Sequence, residues 1–194
     1  MHLVKLILQL YAAEPDINEI TATVSADPEM AVSLIRVVNS PLYRSSQKIT
    51  TVKDVVVRLG LEKLKRWVAL IGTINATSRQ TSRIVLARAF VCQELARRSV
   101  SGIPADRAFL AGLLSGSDAL FGVDKSAFLS ELHLSDDLYA AVVFGENELG
   151  KLIALACRVE RAVHMKIDLE NLDRRLLRLY LKSVERVQAL FNLL

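Results

Sequence analysis

Three histidines, His2, His133 and His164, are the only imidazoles with which this chain can build a hydrolytic metal centre, and none of them is followed by aspartate. Such a centre needs several nitrogen and oxygen ligands converging on one cation. His133, in Glu131-Leu132-His133-Leu134-Ser135, reads as a helix end where an imidazole meets free carbonyls, and His164 reads the same way. Glu131, Asp136 and Asp137 near His133 are carboxylates that can take a cation. Ser135-Asp136-Asp137 before an amphipathic stretch is first a cap with two acids at the favourable end of the helix dipole. The segment from Gly112 to Asp118 has neither the Gly-x-Ser-x-Gly elbow nor the lysine of a phosphate loop. Its glycines read as sites of close helix packing or of a helix break. The two cysteines, Cys92 and Cys157, lie in apolar helical sequence and read as packed thiols of a reducing compartment rather than ligands.

Charge, by contrast, is patterned. Arg174, Arg178, Lys182 and Arg186 recur every four residues along the last amphipathic segment, with Arg175 beside them. Leu172, Leu176, Leu179, Val187, Leu190 and Leu194 fall toward the other side, so this helix can dock on the body and keep its cations in solvent. The stripe admits three uses: a solvated face paired with Asp173 and Glu185, a docking face for an acidic protein, or a nucleic-acid contact. Absent aromatic interleaving weakens single-strand binding, and a net charge of +4 over 194 residues is far from the density that makes nucleic acid the default partner. A second cluster, Lys63, Lys65 and Arg66, precedes Trp67, which reads as a core anchor whose indole N–H needs a partner.

The elements that must position these residues are legible from helix punctuation. Asp16 with Glu19 makes a capping-box-like start for a helix to about Ala26. Asp27 caps the next, with Pro28 in its first position and Met30, Leu34, Val37 and Val38 on one face, until Asn39-Ser40-Pro41 ends it. Thr51 caps Val52 to Leu59, Gly60 stops it, and a longer helix runs on from Leu61 to about Thr77. The polar segment Asn75 to Ser82 is the candidate boundary between lobes 1–78 and 79–194 of a single domain 1–194. Ile84–Ser99, Ala105–Leu120, Lys125–Leu132, Ser135–Phe144, Asn147 to about Val163 and Leu172–Leu193 complete a series of about ten helices. Neither strand alternation nor a fixed repeat is evident, so the expected fold is an all-α, irregular multi-helix bundle. With 52% hydrophobic residues the chain can bury a sizeable core, yet its longest apolar run, Trp67 to Ile71, falls far short of the roughly 20 residues of a membrane span. A soluble, cytoplasmic protein is expected.

Asp27-Pro28 through Val37-Val38-Asn39-Ser40-Pro41-Leu42-Tyr43, then Lys48-Ile49-Thr50-Thr51-Val52 and Leu59-Gly60, resemble the HDOD domain, a bacterial signalling module related in fold to HD-type metal phosphohydrolases. The resemblance covers roughly Leu3 to Leu120 well and the remainder more loosely, and implies an HD-like α-helical bundle. In catalytic HD relatives a His-Asp pair follows a segment like Ala108-Phe109-Leu110-Ala111-Gly112-Leu113-Leu114; here Ser115-Gly116 stands in its place. An earlier family histidine falls near Arg88-Ala89-Phe90, at Ala89, and alanine cannot ligate. Lys65-Arg66-Trp67-Val68-Ala69-Leu70 is most similar to the HDOD module that follows an EAL domain in cyclic di-GMP signalling proteins.

The resemblance thus implies a non-catalytic regulatory module without catalytic, metal or cofactor residues, acting through a protein partner or an upstream signalling domain such as EAL. The chain starts almost directly in its first domain helix, so a fragment of a longer protein is expected. Lys63, Lys65, Arg66, Arg174, Arg178, Lys182 and Arg186 are the candidate contact residues. The alternative is a small-ligand or nucleotide sensor with a pocket between helical lobes.

Overall fold

The computed structural model describes residues 2–40, 43, 51–100, 102–130, 134–167 and 169–192. Every described regular element is helical, as the punctuation predicts. The chain divides into two compact units, one reaching to Asn75 and joined by the residues from Leu190 onward, the other running from Ala76 to Ala189.

In the first unit, α1 (His2–Tyr11) packs on α2 (Ile17–Ser25), and α2 on α3 (Pro28–Val38). The Asp16 carboxylate caps α2 by accepting from the backbone N–H groups of Asn18 and Glu19 at 2.7 and 3.3 Å, while Glu19 accepts from Gln9 at 3.4 Å. Asp27 accepts from Met30 N–H at 3.0 Å, and Pro28 opens α3 where its missing donor costs nothing. The apolar stripe read from the sequence, Met30, Leu34, Val37 and Val38, is buried. The expected Lys48 to Thr50 segment lies outside the described residues.

α4 (Val52–Ala76) carries Thr51 at its start, whose hydroxyl accepts from Asp54 N–H at 3.2 Å and donates to the Asp54 carboxylate. Gly60 interrupts it with φ 66° and ψ 164°, a backbone region essentially confined to glycine. Trp67 is buried, and its indole N–H donates to Tyr43 Oη at 2.6 Å, which supplies the partner the sequence requires.

The second unit is built around α5 (Arg79–Arg98), which packs on α6 (Ala105–Leu114), on α7 (Ser117–Phe121) and on α10 (Asn147–Met165). α8 (Lys125–Ser130) and α9 (Asp136–Phe144) bridge α7 to α10, and a 3₁₀ turn, Leu169–Asn171, leads into α11 (Arg174–Phe191), which belongs to this unit as far as Ala189.

Two boundaries differ from the sequence expectation. The polar stretch from Asn75 is helical apart from Thr77 and Ser78, because Ser78 Oγ caps α5 by accepting from Thr81 N–H at 3.2 Å. The single helix expected over Ala105–Leu120 breaks at Ser115-Gly116 into α6 and α7, with the Ser115 hydroxyl turned back onto the Gly112 carbonyl at 2.7 Å.

The close contact of α5 and α6 rests on Gly112. A Cβ there would lie 2.7 Å from Ala89 Cα and 3.0 Å from Cys92 Sγ, so only hydrogen fits. Phe90 and Phe109 extend the same interface with ring centroids 5.1 Å apart. No helix among the described residues is long and apolar enough to cross a membrane.

Candidate functional site

Beside Ser115-Gly116, where the family resemblance puts a His-Asp pair, the fold holds a salt bridge. α5 and α6 meet at Ala89 and Gly112, and beside that contact Arg88 from α5 reaches Ser115 at the end of α6 and Glu160 from α10. Arg88 grips Glu160 with two parallel bonds, Nε to Oε2 at 2.8 Å and Nη2 to Oε1 at 2.7 Å. Its Nη1 donates to Ser115 Oγ at 3.1 Å. Both ionic side chains are close to buried, with 14% and 11% of their surface exposed. The fork geometry matches the carboxylate and leaves few of its lone pairs unused.

Burial by itself makes this guanidinium less basic, but the hydrogen bonds and charge of Glu160 outweigh it and hold Arg88 above its ordinary value. The thiols on either side respond in the same direction. Burial pushes Cys92 far up, with Cys157 adding to the shift, and burial raises Cys157 as well. Both thiols are free, and Cys92 lies 3.9 Å from the Leu152 carbonyl. Such thiols are poor nucleophiles and poor ligands at neutral pH.

One turn beyond Glu160, His164 Nε2 lies 2.9 Å from Tyr180 Oη, with the two rings edge to face. Tyr180 is 1% exposed, and burial together with the nearby Glu160 charge raises its phenol from 10.0 to about 12. A folded-state pKa above the unfolded one stabilises the fold below the unfolded value, and that contribution disappears as pH rises through the folded value. Stability is therefore expected to fall between about pH 10 and 12. In urea titrations across this window, Tyr180→Phe should show the shallower slope; equal slopes would exclude Tyr180 as the cause.

Among the described residues, no three His, Cys, Asp or Glu side chains gather in a way that holds a metal. His133 and Glu131 lie outside the described residues. Asp137 is an exposed acid held below its ordinary value by the Ser135 hydroxyl and by Arg107, which also forms its ion pair.

The expected contact residues divide. Lys65 pairs with Glu62 at 3.0 Å and rests over the Tyr11 ring at 5.1 Å, and Lys63 lies 5.5 Å over the Tyr43 ring. Arg66 is half-buried, so this cluster is largely engaged within its own unit. On α11, Arg174, Arg178, Lys182 and Arg186 are all exposed, and Arg186 also sits 4.1 Å from the centre of the Phe90 ring. Sequence reading named the neighbourhood of Arg88 but not its role, and it missed Glu160 and Tyr180. The available signal was a charge on an apolar helical face: Arg88 between Ala87 and Ala89, Glu160 beside Val159 and Ala156.

Comparison with known proteins gives this geometry its context. The chain is 26% identical over 162 residues to YuxH of Bacillus subtilis (strain 168), covering 80% of this chain and 39% of that protein. It is 28% identical over 166 residues to the cyclic di-GMP phosphodiesterase CdgJ of Vibrio cholerae, covering 83% of this chain and 38% of that protein. The chain thus spans less than two fifths of either relative.

Among solved structures, a candidate phosphohydrolase of Shewanella amazonensis SB2B shares the fold with a TM-score of 0.61 at 17% identity, over 99% of this chain and 90% of that one. A candidate signal transduction protein of Marinobacter aquaeolei VT8 matches with a TM-score of 0.64 at 15% identity, over 100% and 58%. An HDOD domain protein of Geobacter sulfurreducens matches at 0.53 and 15%, over 81% and 70%. The sequence model of the HDOD domain matches residues 2–121, well over half of the chain and including α5, α6 and the Ser115-Gly116 break between α6 and α7, and on that match the protein belongs to the HDOD family.

Proposed function

We propose that this chain is a non-catalytic regulatory module of cyclic di-GMP-linked signalling, which works by contact with a protein partner or a neighbouring domain. The observation that carries the reading is the Arg88–Glu160 pair with Ser115 at the position where catalytic relatives of the family carry His-Asp. A guanidinium there repels a metal ion and already satisfies the Glu160 carboxylate beside Ser115. The similarity to CdgJ, named as a cyclic di-GMP phosphodiesterase, supports the pathway. No Glu-Ala-Leu triplet occurs in this chain, and on this reading any phosphodiesterase activity would belong to another domain or another protein.

The purified chain, incubated with cyclic di-GMP and manganese, iron or magnesium, is expected to yield no linear product and to hold substoichiometric metal by elemental analysis. Turnover that scales with bound metal would overturn the reading. A melting temperature raised by cyclic di-GMP without turnover would replace it with a nucleotide sensor, since a ligand selective for the folded state stabilises it.

A further inference from the structure

Three neighbouring hollows on the second unit share lining residues and together outline a trough. The largest, about 370 Å³, lies between α5, α10 and α11 with Leu95, Leu155, Leu172, Leu176 and Leu179 in its floor. It shares Arg98 and Leu179 with a second hollow toward Arg186, and Arg158 and Leu172 with a third toward Met165 and Ile167. From Arg175 to Arg186 the α11 wall is about 16 Å long, or three helical turns. The floor is not fully covered: Leu155 is 39% exposed, and at the far end Met165 and Ile167 are 64% and 54% exposed.

The rim is cationic. Arg98, Arg158, Arg161, Arg175, Lys182 and Arg186 line it, against two acids, Glu94 and Asp173. Both acids are committed: Glu94 pairs with Arg97 at 2.5 Å and reaches Arg98 at 3.8 Å, and Asp173 accepts from Arg175 N–H at 2.6 Å. Among the described residues, Arg158, Arg161 and Arg175 have no ion pair. Arg174 and Arg178 line none of the three hollows, so the stripe seen in the sequence is split by the fold.

We infer that this trough binds an amphipathic helix of a partner protein, with leucine-like side chains on the floor and glutamate or aspartate along both flanks. The leucines of the largest hollow, continued by Ala162, Met165 and Ile167 in the third, fit apolar side chains spaced at i, i+3, i+4 and i+7, and guanidinium forks fit carboxylates. A nucleotide or nucleic acid would leave the leucines without a role, and the trough offers no aromatic ring for a base. The inference names the partner of the contact-mediated module proposed above and rests on that reading.

The test is fluorescence anisotropy with a synthetic peptide of about four helical turns, leucines on one face and glutamates on both flanks. A scrambled peptide of equal composition and a glutamine-for-glutamate version serve as controls. The expected result is saturable binding by the first peptide alone, weakened about tenfold by Arg158→Glu and by Arg175→Glu. Arg174→Glu with Arg178→Glu imposes a larger charge change off the trough and should leave affinity within about twofold. Circular dichroism melts confirm that each variant folds.

Absence of binding, equal binding of the scrambled peptide, or equal loss in the Arg174/Arg178 variant would overturn the inference. Displacement of the peptide by inorganic phosphate, cyclic di-GMP or duplex DNA would assign the trough to that ligand instead. A chain that hydrolyses cyclic di-GMP and still binds the peptide refutes the non-catalytic reading alone; a silent chain that ignores the peptide refutes this inference alone.

Discussion

Arg88→Met is expected to destabilise the second unit by about 3–5 kcal/mol, because it strands the Glu160 carboxylate in a nearly closed site with no counter-charge. Ser115 would not be orphaned, since its hydroxyl already donates to the Gly112 carbonyl at 2.7 Å. The cost therefore belongs to Glu160. Replacing both partners, Arg88→Met with Glu160→Met, removes two desolvated charges together and should recover most of the loss, as buried pairs often contribute little beyond an apolar substitute. Urea unfolding of the two single variants and the double variant measures the coupling directly. A single variant as stable as the parent would show that the pair is wet and weakly coupled.

Gly112→Val should cost about 3 kcal/mol, in the upper range for overpacking, because the added side chain meets the backbone of Ala89 rather than a movable side-chain tip. Gly112→Ala should cost less, as its better helix propensity of about 1 kcal/mol offsets part of the clash. Cys92→Ala in the Gly112→Val background should give little rescue, since the nearest obstruction, at 2.7 Å, is Ala89 Cα. Full rescue would mean that the thiol, not the helix backbone, sets the approach of α5 to α6. Midpoints of urea unfolding at unchanged m separate these cases.

Local chemistry wrote the helices plainly into the sequence. Asp16, Asp27 and Thr51 each cap the helix that follows, and Pro28 opens α3, because these effects depend on residues at most three apart. The same locality explains the two misread boundaries: Ser78 outcompeted the surrounding polar residues as a cap, and Ser115 bonded backward to Gly112. The Arg88–Glu160 pair joins residues 72 positions apart, and the His164–Tyr180 bond joins two different helices. No periodicity encodes which buried charge finds which partner. The basic stripe on α11 was readable as a stripe, but its division between trough and outer face depends on where α5 and α10 lie.

Gly60 concentrates mechanical leverage in one residue. Nothing lies within 4 Å of where its side chain would be, so neighbours place no steric limit on that spot, and the only barrier to change is the backbone angle itself. Any other residue would favour carrying the helix straight on as a rod about 37 Å long, at 1.5 Å per residue. Val55, Val56 and Leu59, which are buried just before the bend, would be swung out of their sockets. A methyl group in open solvent could thus misdirect an arm of the molecule without touching a single neighbour.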